Sequence, residues 1–377
     1  MQPPGFTCAD NPTHICKLRK AIYVLKQAPR AWYNALKGHL LYMGSESDHS
    51  LFVRISNTGF IFILVYVDDI NVTGSNLITV NEVIASLASR FSIKDLGNLH
   101  YFLGVEVIRS SDDIILSQAN YINEILSAEL MSDCKSAKTP ISNSDLLKLN
   151  DGADLTDATR YRRVLDRLQY LSFNRPDISY AVNKLSQFMQ SPSDLHWNVV
   201  KRVLRYLRGT IQFGLRVSPN CDFNLHMYSD ADWAEDLTDR SSTSGYILFL
   251  DRNPISWSSK KHKIVHRSST EAEYRVVANA LAELLWVKNL LLEMKLPIKD
   301  TPTIYCDNIG VTYLSENPGL HSRMKHVEVD FHFVRNHVQQ KGVQQGANLV
   351  PIGTTRPCPG KWWGSSSIEK ASNNNLS

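Results

Sequence analysis

No long apolar run, no paired cysteines and no strong net charge occur in the 377 residues, and each absence narrows the possible function. The most apolar stretch, Phe60 to Val67, falls far short of the roughly 20 residues a membrane helix needs and reads as a buried strand. The opening MQPPGFTCADNPTH carries prolines and no apolar segment, which is not the pattern of a signal peptide or an anchor. Six cysteines (8, 16, 134, 221, 306 and 358) contain no C-x-x-C pair and no accompanying His spacing, which argues against a zinc site and for a reduced, intracellular protein. The net charge is only +4, but it is unevenly spread. Between Arg160 and Arg208 ten Lys/Arg face three Asp, so that stretch is the expected polyanion-facing surface.

The apolar share is 43% and the charged share 21%, enough to bury a core over most of the chain, and the length suits two or three domains. No internal repeat is visible. A helical pattern covers 17–43, with Trp32, Leu36 and Leu40 at fourfold spacing after Pro29. Strands are expected at Ser50–Ile55 and Phe60–Val67, joined through Asn57-Thr58-Gly59 as a hairpin. A helix at Leu77–Phe91, strand segments in Leu99–Val107 and a strand at Ile114–Ser117 follow. Residues 135–157, rich in Ser, Asp, Lys, Thr and Pro, mark a linker or surface loop. Helices are expected near 158–173, 177–190 and 194–208. Then come strands at 225–229, 245–250 and 254–258, a helix at 270–294, a strand at 303–306 and a helix near 324–341. That order implies a separate α/β domain with a mixed sheet.

Two groups of acids stand out. Asp68 and Asp69 end the strand Ile61–Val67 and lie at a hairpin tip before Ile70-Asn71-Val72-Thr73-Gly74. They read either as a solvated turn or as paired ligands for catalytic Mg²⁺, which takes hard carboxylate oxygens and can act in pairs in nucleotidyl transfer. The second group is Asp230 at a strand end, Glu273 at a helix start and Asp307 at another strand end. Each alone reads as a cap or turn residue. Together they can converge. Glu271 and Glu273 differ by about 200° around a helix, so only one can face a shared site.

The words around the first group, Lys26-Gln27-Ala28-Pro29-Arg30-Ala31-Trp32-Tyr33, Leu64-Val65-Tyr66-Val67-Asp68-Asp69-Ile70, Lys94-Asp95-Leu96-Gly97 and Tyr101-Phe102-Leu103-Gly104, resemble copia-type reverse transcriptase in order and spacing. The resemblance implies that Asp68 and Asp69 are metal-site acids, that Gln27, Arg30 and Tyr66 lie near nucleotide and nucleic acid, and that Tyr101–Gly104 is the primer grip. The family carries another catalytic Asp upstream of the point matching Met1–Phe6, so polymerase activity is not expected of this chain alone. The words around the second group resemble the copia ribonuclease H domain: Tyr228-Ser229-Asp230-Ala231-Asp232-Trp233-Ala234, Ser241-Ser242-Thr243-Ser244-Gly245-Tyr246, Ser268-Ser269-Thr270-Glu271-Ala272-Glu273-Tyr274 and Tyr305-Cys306-Asp307-Asn308. That resemblance selects Asp230, Glu273 and Asp307 as ligands of two Mg²⁺ (or Mn²⁺) ions. The reaction it implies is hydrolysis of the RNA strand in an RNA/DNA hybrid.

Two basic segments, Lys260-Lys261-His262-Lys263 with Arg267, and His321-Ser322-Arg323-Met324-Lys325-His326, read either as solvated loops or as phosphate contacts. The resemblance covers about 1–341, where a family member would continue into a last strand and a helix with a fourth acid. Here the tail carries Glu369 as its one acid after Val343 and is expected to be divergent and disordered. The expected fold is thus multidomain, α+β and α/β. A partial reverse-transcriptase palm and primer-grip region (1–134) leads through a linker (135–157) to a helical thumb or connection region (158–220). A ribonuclease H-like mixed five-stranded sheet with helices (221–342) and the tail (343–377) complete it. The expected partners are RNA/DNA hybrid and primer–template in a cytoplasmic element particle, with access to the nucleus. The alternatives are a non-catalytic nucleic-acid binder and a functionless pseudogene product.

Overall fold

The computed structural model describes residues 26–40, 47–57, 59–142, 147–219, 222–236, 238–316, 328–340, 342–347 and 368–370. They fall into two compact units that divide at Asp95/Leu96.

The first unit is a small α/β layer. Helix α1 (Ala28–Leu40) packs on an antiparallel sheet of β1 (Leu51–Ser56), β2 (Gly59–Tyr66) and β3 (Asp69–Gly74), with α2 (Leu77–Arg90) completing the core. Period-two alternation in β2 buries Ile61 and Ile63, and fourfold spacing in α1 buries Leu36 and Leu40, so both meet Phe52 and Leu87 in one cluster. Trp32 stacks on Phe91 at 5.5 Å. The start of α2 is fixed by Asn76, whose side chain accepts from the Ile78 N–H. The remainder of the helical pattern expected over 17–43 lies outside the described residues.

The second unit holds two sheets and a helical cluster. Strands β4 (Tyr101–Phe102), β5 (Val105–Arg109), β6 (Ile114–Ser117), β7 (Phe213–Val217) and β13 (Ile368–Lys370) form an antiparallel sheet in the order β13-β7-β6-β5-β4. The β4–β5 turn puts Leu103 (φ 48°) and Gly104 (φ 71°) in the left-handed region, as a two-residue hairpin loop demands. The Tyr170 hydroxyl donates to the Leu103 carbonyl and fastens that turn.

Helices α3 (Ala119–Ala128), α4 (Ala158–Leu171), α5 (Ser179–Ser186, after a 3₁₀ turn at Pro176–Ile178) and α6 (Asp194–Gly209) share one apolar core. Asp157 caps α4, and a Ser193/His196 capping box opens α6. Arg175 is fully buried, paired to Asp177 at 2.7 Å and bonded to the Thr210 carbonyl at 3.0 Å.

The mixed sheet runs β10 (Asn253–Lys261), β9 (Thr243–Leu250), β8 (Leu225–Asp232), β11 (Thr303–Cys306), β12 (Gln344–Ala347), antiparallel as far as β8 and parallel beyond it. The 25-residue helix α7 (Ser269–Glu293), with α8 (Ile309–Glu316) and α9 (Glu328–Gln339), packs on it around Met227, Leu248, Val277, Leu281 and Ile304. A mixed sheet with helices is what the pattern from Leu225 implied, though that pattern held four strands rather than the five observed.

Five elements, α3, β7, α8, β12 and β13, differ from the sequence reading. Helix α3 and strand β7 were not foreseen, although Ile122, Ile125 and Leu126 repeat at helical spacing. The tail expected to be irregular from Val343 instead begins with β12, and Ile368–Lys370 pairs with β7. Val343 is buried at 2% exposure, and parallel pairing to β11 uses backbone groups that any side chain supplies.

The cations of the basic stretch 160–208 are largely engaged within the unit. Arg160 and Arg163 hold Glu129, and Arg205 and Arg208 donate to the carbonyls of Lys135 and Ser132, with Arg202 on Thr139. Charge counted along a helix does not reveal that its guanidinium groups bind neighbouring chain.

Candidate active site

Alternation in β8 buries Leu225, Met227, Ser229 and Ala231 and leaves His226, Tyr228, Asp230 and Asp232 partly exposed. Asp230 therefore reaches the end of the strand on the less covered face. The parallel neighbour β11 stops at Cys306, so Asp307 emerges beside it, exposed. Ser268 caps α7 by accepting from the Glu271 N–H at 3.2 Å, and Glu271 turns back to accept from the Arg267 N–H at 3.2 Å. Glu271 thus serves the helix start. Glu273, half a turn further on, points the other way.

Glu273 is 4% exposed, and its ligand atoms lie within 4.8 Å of those of Cys306 and Asp307. The Ala231 N–H donates to Oε1 at 3.2 Å and the Cys306 thiol lies 3.7 Å from Oε2. Burial, followed by the nearby charges of Asp230 and Asp307, pushes the Glu273 carboxyl up to about 9; the two hydrogen bonds oppose that rise without reversing it. Burial likewise pushes the Cys306 thiol up, so it sits here as a neutral donor. Glu273 and Asp307 are thus brought together from α7 and the end of β11, with the charge of Asp230 on β8 reaching Glu273. Cys306, to which the sequence reading gave no role, joins them; its place directly before Asp307 on a short strand was the available signal.

The loop between β8 and β9 is held from two sides. Glu235 accepts from the Tyr180 hydroxyl at 2.5 Å and lies 3.4 Å from the Lys184 ammonium, both on α5. Lys261 sits 2.8 Å from both Asp236 and Asp239. The Lys261 ammonium is therefore engaged by two carboxylates of that loop. His262 is pushed down to about 4 by burial and by the charges of His266 and Arg275, so it adds no positive charge near neutrality. Lys260, Lys263 and Arg267 are exposed. The second basic segment, His321–His326, lies outside the described residues.

In the first unit Tyr66, Asp68 and Asp69 are all exposed, at a two-residue turn in which Tyr66 pairs with Asp69. Val67 in that turn has φ 50°, a conformation that costs a β-branched residue about 1–3 kcal/mol. An apolar cleft lined by Pro29, Trp32, Val65, Val67 and Phe91 opens at Asp68, and the first turn of α1 beside it carries Arg30, with Gln27 just before. Among the described residues no third His, Cys or acidic ligand stands with Asp68 and Asp69. Tyr101 is exposed on β4. No helix among the described residues is long and apolar enough to cross a membrane.

Comparison with known proteins places this arrangement. Residues 1–143 match the family model described as reverse transcriptase (RNA-dependent DNA polymerase). The chain is 52% identical over 341 residues to the retrovirus-related Pol polyprotein from transposon RE2 of Arabidopsis thaliana, covering 90% of this chain and 23% of that protein. It thus spans about a quarter of the length of that relative. A putative transposon Ty5-1 protein of Saccharomyces cerevisiae is 36% identical over 289 residues, covering 75% of this chain and 94% of its own length. A crystal structure of LC11-RNase H1 in complex with RNA/DNA hybrid shares 11% identity over 33% of this chain and 83% of that one, at a TM-score of 0.23, too slight a likeness to argue from. On the strength of the sequence relatives, this chain belongs to the copia-type family of retrovirus-related transposon Pol polyproteins.

Proposed function

We propose that the second unit hydrolyses the RNA strand of RNA/DNA hybrids, using two divalent cations, Mg²⁺ or Mn²⁺, held by Asp230, Glu273 and Asp307. The observation that carries this reading is Glu273, a buried carboxyl raised to about 9 between two other acids. Such a group has no use for packing and is poised for a cation that offsets the crowded negative charge. The oxygens of the three carboxylates suit hard ions. Bound cations would supply charge stabilisation at the scissile phosphate and activate the attacking water.

The chain's own residues do the rest. Glu273 gives up its proton when positive charge arrives. The Ala231 N–H fixes Oε1, and the neutral Cys306 thiol faces Oε2. Asp307 remains open to solvent and substrate. Lys260, Lys263 and Arg267 contact the phosphate backbone without reading sequence.

In the first unit we read Asp68 and Asp69 as the paired acids of a nucleotidyl-transfer site on primer–template, with Gln27, Arg30 and Tyr66 near the nucleotide; Tyr101, in the second unit, is read as part of the primer grip. DNA synthesis by this chain is not part of the proposal, because among the described residues two exposed acids stand there without a third.

The test is cleavage of a labelled RNA/DNA hybrid by the full chain with Mg²⁺ or Mn²⁺. Cutting is expected from the unaltered chain and not from Asp230→Asn or Asp307→Asn. Equal cutting by the variants sinks the proposal, and salt-sensitive binding without cutting favours a non-catalytic hybrid binder.

A further inference from the structure

Helix α5 lies against β10 and covers the sheet face on which Asp230 sits, but the cover is incomplete. Cross-strand register sets Asp230 opposite Gly245 and Gly245 opposite Ser259. One transverse row of the sheet therefore reads carboxylate, no side chain, hydroxyl. Beside that row lies a narrow slot of about 30 Å³, roofed by Ser179 and Tyr180 of α5. Past Ser259 it widens into a cleft of about 260 Å³ bordered by Asn183, Phe173 and Trp257.

Two features indicate what belongs there. Ser179 Oγ and Ser259 Oγ, which border both spaces, are buried with no hydrogen-bond partner among the described residues. Buried hydroxyls nearly always find one, so the pair marks where polar atoms of a guest would sit. Meanwhile no Lys, Arg or His among the described residues lines either space, and Asp230 lines the slot. In the metal-free chain a phosphate entering the slot would meet a carboxylate and no basic side chain among the described residues. The guest is therefore not anionic. Phe173, 77% exposed, and Trp257 offer ring faces for stacking.

We propose that this cleft binds an uncharged planar heteroaromatic molecule of nucleoside size, stacked on Phe173 and Trp257 and hydrogen-bonded to Ser179 and Ser259. The site is separate from the phosphate contacts assigned above, and its occupancy is read without any cleavage assay.

The probe is adenosine, titrated into the metal-free full chain by saturation-transfer NMR and calorimetry, with AMP as the anionic control. Adenosine is expected to bind at submillimolar concentration and AMP at least tenfold more weakly. Each hydroxyl contributes roughly fivefold, so the Ser179→Ala/Ser259→Ala double variant is expected to weaken adenosine about twentyfold. Its thermal midpoint should match that of the unaltered chain. No adenosine binding, AMP binding as tight as adenosine, or unchanged affinity in a folded double variant each overturns the proposal.

Discussion

The hairpin acids Asp68 and Asp69 and the buried Glu273 belong to one chain and one chemical type, yet the fold presents them in opposite ways. The first pair stands exposed on a strained turn. Glu273 is enclosed at 4% exposure between two further acids. An exposed carboxylate is solvated whether or not a cation comes, so holding a cation there depends on additional ligands. An enclosed one cannot ionise cheaply until a cation does come, and that makes its environment a statement about function.

The sharpest way to break this comparison is to neutralise one member of each site. Glu273→Gln is expected to lower hybrid cleavage roughly 100- to 1000-fold, as loss of a preorganised electrostatic group does. Asp68→Asn should leave cleavage by the same chain unchanged. A similar loss from both would show that the hairpin acids serve the hydrolysis.

Stability against pH gives the next largest contrast. A carboxyl whose folded value is raised binds its proton more tightly folded than unfolded. Its contribution is fully present below the ordinary value near 4.5 and is lost as pH rises towards about 9. The metal-free chain should therefore melt lower at pH 8 than at pH 5.5, and Glu273→Gln should raise the pH 8 midpoint by several degrees, with Mg²⁺ narrowing the gap. Asp68→Asn should shift neither midpoint. Scanning calorimetry at the two pH values decides the matter.

Smaller effects refine the picture of how each site is held. Tyr180→Phe removes the α5 hydrogen bond to Glu235 and should reduce kcat for cleavage roughly fivefold with KM little changed, by the weight of one ordinary hydrogen bond. If KM rises instead, the contact serves substrate binding. Smallest is the split between two lysines of one loop. Lys263→Ala should flatten the salt dependence of hybrid binding by about one unit of slope, whereas Lys261→Ala should lower the melting midpoint through Asp236 and Asp239 and leave that slope alone.

Legibility in the sequence followed the range of the interactions concerned. The apolar run of β2, the strand β8 and the fourfold spacing of α1 are local, and so they could be read residue by residue. The angular argument on a helix separated Glu271 from Glu273, and the two now point to different partners. What escaped was set by distant segments: α3 by packing on α4 and α6, β7 by pairing with β6, and β12 by a backbone ladder with β11. The same holds for charge. The carboxylates and carbonyls that Lys261 and the arginines of α6 meet lie on segments distant in the sequence.

Those arginines carry a consequence for variation in the family. Arg205 and Arg208 hold the segment from Ser132 to Lys135 by its carbonyl oxygens, and every amino acid supplies the same carbonyl. The strap can change its side chains freely and stay fastened, so substitutions should accumulate at positions 132 and 135 while the two arginines persist.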